Sequence, residues 1–129
     1  MPRTIVEKLL IKSGDALSLV GAGAEERAVL GDMPSGIVEV APAEAAVSVT
    51  FVRTRDELVT QFGTELPVLA GARAVWFLYP KGGRADVNRD TIIREAGPFG
   101  WRAISNVAVD DVWSAVRVRP LADGEASIG

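Results

Sequence analysis

The stretch ARAVWFLYPKGGRADVNRD, residues 72–90, decides how this chain folds. It opens as an apolar run rich in β-branched and aromatic side chains and stops abruptly at Tyr79-Pro80-Lys81-Gly82-Gly83. A strand covered by helices on both faces reads this way, because neither side needs a polar residue. Pro80 keeps Tyr79 extended and brings no ladder N–H of its own, so the strand ends there. Asn88 is placed as the N-cap of a helix over residues 90–96, with Ile92, Ile93 and Ala96 facing inward and Gly97-Pro98 as the stop. Open α/β sheets hold ligands beyond the carboxyl ends of their strands, so the loop between Tyr79 and Asn88 fixes where a site belongs.

Working upstream, Thr54 and Glu57 have capping-box spacing at the head of a helix running to about residue 70. Leu58, Phe62, Leu66 and Leu69 give it one apolar face, while Gly63 and Pro67 weaken its end. Residues 46–52 read as a strand in which Ser48 and Thr50 alternate with large apolar side chains, and residues 37–40 as a short strand carrying Glu39. Residues 16–20 form a first strand that empties into Gly21-Ala22-Gly23, then a helix over 24–30 stopped by Gly31. A short helix over 4–12 precedes it, with Thr4 and Glu7 again at capping-box spacing. Downstream, residues 101–107 and 112–118 are strands joined through Ala108-Val109-Asp110-Asp111 at hairpin length. The pattern predicts an α/β fold: one domain over residues 1–120 with a doubly wound, mostly parallel sheet of about six strands and a closing antiparallel hairpin. Residues 121–129 are small, polar and unpatterned, and are expected to be a disordered tail.

Composition narrows the chemistry. The 129 residues are 48% hydrophobic and 24% charged with a net charge of −3, which disfavours non-specific nucleic-acid and anionic-membrane binding. There is no cysteine, so disulfides, thiolate metal sites and cysteine nucleophiles are excluded. There is no histidine either, which removes the usual general base and the commonest zinc ligand and makes a serine–histidine triad impossible. No apolar run approaches the roughly 18 residues of a membrane span, and the first residues lack a signal-peptide core, so a cytoplasmic location is expected. No catalytic residue and no metal site stands out.

The order of elements resembles a shortened class I, Rossmann-like, S-adenosylmethionine-dependent methyltransferase, a fold whose last strand inserts antiparallel into the sheet. The residues that carry the likeness are Leu17-Ser18-Leu19-Val20-Gly21-Ala22-Gly23, at the cofactor-binding glycine loop, and Leu69-Ala70-Gly71-Ala72-Arg73-Ala74-Val75-Trp76-Phe77. More closely, the chain resembles a family of short bacterial proteins known only as a domain of unknown function. The features that match are Ile11-Lys12-Ser13-Gly14, Phe51-Val52-Arg53-Thr54-Arg55, Tyr79-Pro80-Lys81-Gly82, Asn88-Arg89-Asp90, Val109-Asp110-Asp111 and Trp113-Ser114-Ala115. The methyltransferase likeness implies S-adenosylmethionine as cofactor. Against it, the turn lacks a third glycine, and Glu39 is the only carboxylate near the end of the second strand, where those enzymes hold the ribose.

The candidate ligand-binding residues are Gly21, Gly23, Arg53, Arg55, Tyr79, Lys81, Asn88, Arg89 and Asp111. Arg53, Arg55, Lys81, Arg84 and Arg89 are expected at the same rim as Glu25, Glu26, Asp56, Asp86, Asp90, Asp110 and Asp111, which makes it charged without being basic. Asp111 is also expected to cap its turn or to pair with Arg53 or Arg89. The leading expectation is a non-catalytic module with no cofactor that binds a small polar molecule or a protein partner, with a homodimer as one way to cover an open sheet edge. The competing expectation is a minimal S-adenosylmethionine-dependent methyltransferase or an adenosyl-cofactor sensor. Whether the chain is an enzyme stays open at this level.

Overall fold

The computed structural model describes residues 4–83, 85–122 and 124. Thr4 caps α1 (Ile5–Lys8) with a full capping box, but the helix stops after one turn, because Leu10 adopts a left-handed backbone (φ 65°). Strand β1 (Ala16–Val20) leads into α2 (Ala24–Leu30), and Gly31 ends that helix as expected. The second strand is only β2 (Val38–Glu39), shorter than the four residues predicted, and a 3₁₀ turn at Pro42–Glu44 follows it. Strand β3 (Val47–Phe51) is buried along its whole length. Thr54 caps α3 (Arg55–Glu65), which stops short of residue 70: Pro67 tightens its end into a 3₁₀ turn at Leu66–Val68. Strand β4 (Ala74–Pro80), helix α4 (Arg89–Ala96) and the hairpin of β5 (Trp101–Ala108) and β6 (Trp113–Pro120) complete the fold.

The six strands form one sheet in the order β2-β1-β3-β4-β6-β5. β2, β1, β3 and β4 pair in parallel, and β6 runs antiparallel between β4 and β5. This is the doubly wound, mostly parallel sheet with a closing hairpin that the sequence predicts. Leu78 pairs with both Phe51 and Ala115, and Ala115 pairs with Val107, so the chain leaves β3, β4 and β5 on one common rim.

Alternate residues of β4 serve two cores. Trp76 and Leu78 face α1 and α2 together with Leu9, Leu17 and Val49, whereas Phe77 and Tyr79 face α3 and α4 together with Phe62 and Ile92. Each of these large side chains, once buried, contributes about 1.5–3 kcal/mol against an exposed reference. The indole N–H of Trp76 donates to the Leu9 carbonyl at 2.8 Å, which satisfies a buried donor and holds the end of α1 on the sheet. No helix among the described residues is long and apolar enough to cross a membrane. Of the expected tail, Leu121 still donates its N–H to the Gly100 carbonyl at 2.8 Å; residues 123 and 125–129 lie outside the described residues, as does Arg84.

Candidate functional site

The rim has two ends with different chemistry. At the β1–β3 end, Gly21 turns with φ 72°, and a Cβ there would lie 2.5 Å from the Phe51 carbonyl oxygen. Close packing of backbone on backbone therefore accounts for this glycine. The Gly23 N–H donates to Glu26 Oε1 at 2.7 Å, and Glu26 Oε2 pairs with Arg53 Nη2 at 2.6 Å. The Gly23 N–H, and after it the Arg53 guanidinium, hold the Glu26 carboxyl below the usual range. Arg53 also reaches the Gly21 carbonyl at 3.5 Å and lies 5.4 Å from the centroid of the Trp113 ring, which meets Phe51 edge to face. The turn is thus filled by the chain's own side chains.

Glu39 closes β2 but pairs in register with Leu17, three residues below the end of β1. Both of its carboxylate oxygens accept from Arg27, at 2.7 and 2.8 Å, and Arg27 keeps its pKa low. An adenosyl cofactor held as the resemblance implies needs free turn N–H groups and an acid level with the rim. In this arrangement the Gly23 donor is engaged, and the acid is paired and set too low. These residues do not fit the group.

At the β4–β5 end a groove of about 340 Å³ opens among Tyr79, Lys81, Gly82, Asn88, Arg89, Asp90 and Asn106. Lys81 donates its backbone N–H to the Val112 carbonyl at 2.8 Å, which ties the loop to the hairpin. Asn88 caps α4 by accepting from the Thr91 N–H at 3.0 Å, as predicted, and so fixes Arg89 and Asp90 at the groove. Asn106 gives its amide to the Ser114 hydroxyl and the Ala115 carbonyl, at 3.2 and 3.0 Å, which leaves its own oxygen as an acceptor. Arg27, Arg53, Arg55 and Arg73 are each paired with a carboxylate. Lys81 and Arg89 have no such partner among the described residues, nor does the Tyr79 hydroxyl have a hydrogen-bond partner there.

Of the sequence candidates, Tyr79, Lys81, Asn88 and Arg89 meet at the groove, and Gly21, Gly23 and Arg53 at the filled end. Arg55 belongs to neither: its backbone N–H donates to Asp86 and its guanidinium to Glu95. The capping role expected of Asp111 belongs to Asp110, whose Oδ1 accepts from the Val112 and Trp113 N–H groups at 2.8 and 2.7 Å. Nor does Asp111 pair with Arg53, which is taken by Glu26. Sequence reasoning missed Asn106, Gly82 and Asp90 as groove residues. Gly82 and Asp90 flank named candidates, but Asn106 faces the groove only because of a bulge between Ala103 and Ser105.

No family model and no curated protein matches the chain. Among solved structures it is similar to a Streptococcus agalactiae protein of the NADB-Rossmann superfamily, with a TM-score of 0.59 and 7% identity over 93% of this chain and 69% of that one. The fold is Rossmann-like. It is also similar to a Streptococcus pneumoniae protein put forward as a tRNA (m1A22) methyltransferase, with a TM-score of 0.53 and 10% identity over 93% of this chain and 71% of that one. The same protein in complex with S-adenosyl-L-methionine gives a TM-score of 0.54 at 10% identity, over 93% and 73% of the two chains. At these identities the likeness is one of fold.

Proposed function

We propose that this chain is a binding module on a methyltransferase-like scaffold, and that it takes a small anionic molecule in the groove between the β4 loop, the start of α4 and β5. The observation that carries this reading is the placement of charge. The arginines at the filled end and on the flanks are bound to carboxylates, whereas Lys81 and Arg89 share one groove, beside Asp90, and neither forms an ion pair among the described residues. A guanidinium fork and an ammonium suit a carboxylate, with the Tyr79 hydroxyl as a further donor. The volume lies at the small end of ordinary ligand sites.

Titrating ¹⁵N-labelled protein with butyrate tests the reading. Amide shifts should cluster at Lys81, Gly82, Arg89 and Asn106 and vanish in the Lys81→Ala/Arg89→Ala double variant, whose thermal midpoint should match the parent's. Scattered shifts, or shifts that persist in the double variant, would refute it.

A second reading, a minimal S-adenosylmethionine-dependent enzyme, draws support from the similarity to a protein crystallised with that cofactor. It requires Glu26 and Arg53 to leave the turn. A rise in melting midpoint with millimolar S-adenosylmethionine, larger in Glu26→Gln than in the parent, would favour it by mass action.

A further inference from the structure

Resting on the anion-binding reading above, we infer that the ligand is an amphiphile: a monocarboxylate head between Lys81 and Arg89, joined to an apolar body lying along Ile93, Ile104 and Val116. A second hollow, of about 310 Å³, shares Arg89 and Asn106 with the charged groove and continues it along α4 and β5. Its remaining wall is mostly apolar, from Ile93 on α4, Ala103 and Ile104 on β5, and Val116 on β6.

Ile104 is the residue that the bulge inserts: Ala103 pairs with Val118 and Ser105 with Arg117, so Ile104 has no partner of its own on β6. It is left 40% exposed beside the hollow, an apolar side chain that a bound apolar group would cover. The same bulge shifts the alternation of β5, so that Val107 faces the α1–α2 core while Asn106 stays on the α4 side. One irregularity thus supplies both an apolar wall and a polar acceptor at the junction of the two hollows.

Charge sets the head group. Among the described lining residues, Lys81 and Arg89 contribute two positive charges and Asp90, on the same wall, one negative, leaving one net positive charge. That balance leaves a bound monoanion neutralised, whereas a phosphate dianion would leave one uncompensated negative charge beside Asp90.

Isothermal titration with butyrate, octanoate and octyl phosphate, on the parent, Ile104→Ser and Lys81→Ala, tests the inference. Octanoate should bind at least about tenfold more tightly than butyrate, since each added methylene that leaves water strengthens binding several-fold. Ile104→Ser alters an exposed side chain and so should fold; it should abolish most of that tenfold gain while weakening butyrate far less than octanoate. Lys81→Ala should weaken both carboxylates alike, and octyl phosphate should bind no better than octanoate. Equal binding of butyrate and octanoate would overturn the amphiphile while leaving the anion site standing. Octyl phosphate binding tenfold more tightly than octanoate would overturn the monocarboxylate head. Binding of neither carboxylate would overturn both this inference and the reading on which it rests.

Discussion

Glu65, at the end of α3, is a carboxyl with 1% of its surface exposed, set against Thr50 of β3. The Thr50 hydroxyl donates to its Oε1 at 2.7 Å, while Oε2 and the hydroxyls of Ser18 and Ser48 are sealed without a partner of good geometry. Burial pushes its pKa up to about 7, against the opposing pull of the Thr50 and Ser48 hydroxyls. The folded value therefore lies above the ordinary 4.5, and the unfolded chain releases this proton first. Stability should fall as pH rises from about 4.5 to 7 and level off beyond, a loss of at most about 3 kcal/mol at 1.36 kcal/mol per pH unit. Glu65→Gln should flatten that slope and be more stable than the parent at pH 8, as read by urea unfolding at pH 4, 6 and 8; parallel slopes would contradict the assignment. Gly21 makes a second residue-scale case. Gly21→Ala brings a Cβ to 2.5 Å from the Phe51 carbonyl oxygen in a left-handed conformation, whereas Gly83, also left-handed at φ 73°, has nothing within 4 Å. Gly83→Ala should cost about 1 kcal/mol of strain and Gly21→Ala at least about 2 kcal/mol more, measured from denaturant midpoints. Similar costs would mean that the turn has room to move away from β3.

Among the elements, β4 and β5 show what a sequence discloses and what it hides. β4 is legible because both its faces are buried, so a continuous apolar run ending at Pro80 has one simple reading. The cap of α4 is legible for a similar reason, since Asn88 satisfies a local need visible in its own neighbourhood. The end of α3 was half visible: Pro67 forbids a continued helix, but how many residues fray before it depends on packing against β3 and β4. In β5 the bulge carries no glycine or proline to mark it, and nothing in Ala103-Ile104-Ser105-Asn106 fixes which residue is extra. Its position comes from two sets of neighbours, Trp101 packed with the α3–α4 core and Val107 with the other. That is why Asn106 was invisible as a groove residue. Deleting Ile104 should therefore be tolerated: Ala103 and Ser105 keep their partners, the ladder becomes regular, and no face is inverted. The deletion variant should melt within a few degrees of the parent and retain butyrate binding, while its preference for octanoate falls. Unfolding, or loss of butyrate shifts as well, would show that the bulge supports the whole rim.

Across the whole molecule, the order β2-β1-β3-β4-β6-β5 places the topological switch between β1 and β3, where open α/β sheets ordinarily hold a ligand. Here Glu26, Arg53 and Trp113 fill that place, and the concave surface lies further along the rim, between β4 and β5. The fold was predictable from alternation and turn chemistry, and the loop after β4 was legible from the sequence as a place for a site. That the glycine turn at the switch point is closed was not legible, because side chains that plug a turn look the same in sequence as side chains that line one. The sheet is also unequal in strength from end to end. β3 is paired on both sides and buried throughout, while β2 pairs through only two residues, with Val38 60% exposed. The pair between Arg27 and Glu39 ties β2 to α2 with about half of each side chain in solvent, and such exposed, screened pairs add little stability. Native-state hydrogen exchange should therefore find the Val38 and Val40 amides, bonded to the Asp15 and Leu17 carbonyls, opening locally and early. The Thr50 and Phe77 amides should exchange only with global unfolding. Arg27→Ala should speed exchange at Val38 and Val40 by no more than several-fold without changing the rate at Phe77, as expected for an exposed, screened pair. Equal protection of Val40 and Phe77 would mean that β2 is held by something other than the short ladder and one surface ion pair, and that the β1 side of the sheet is as rigid as the side that carries the groove.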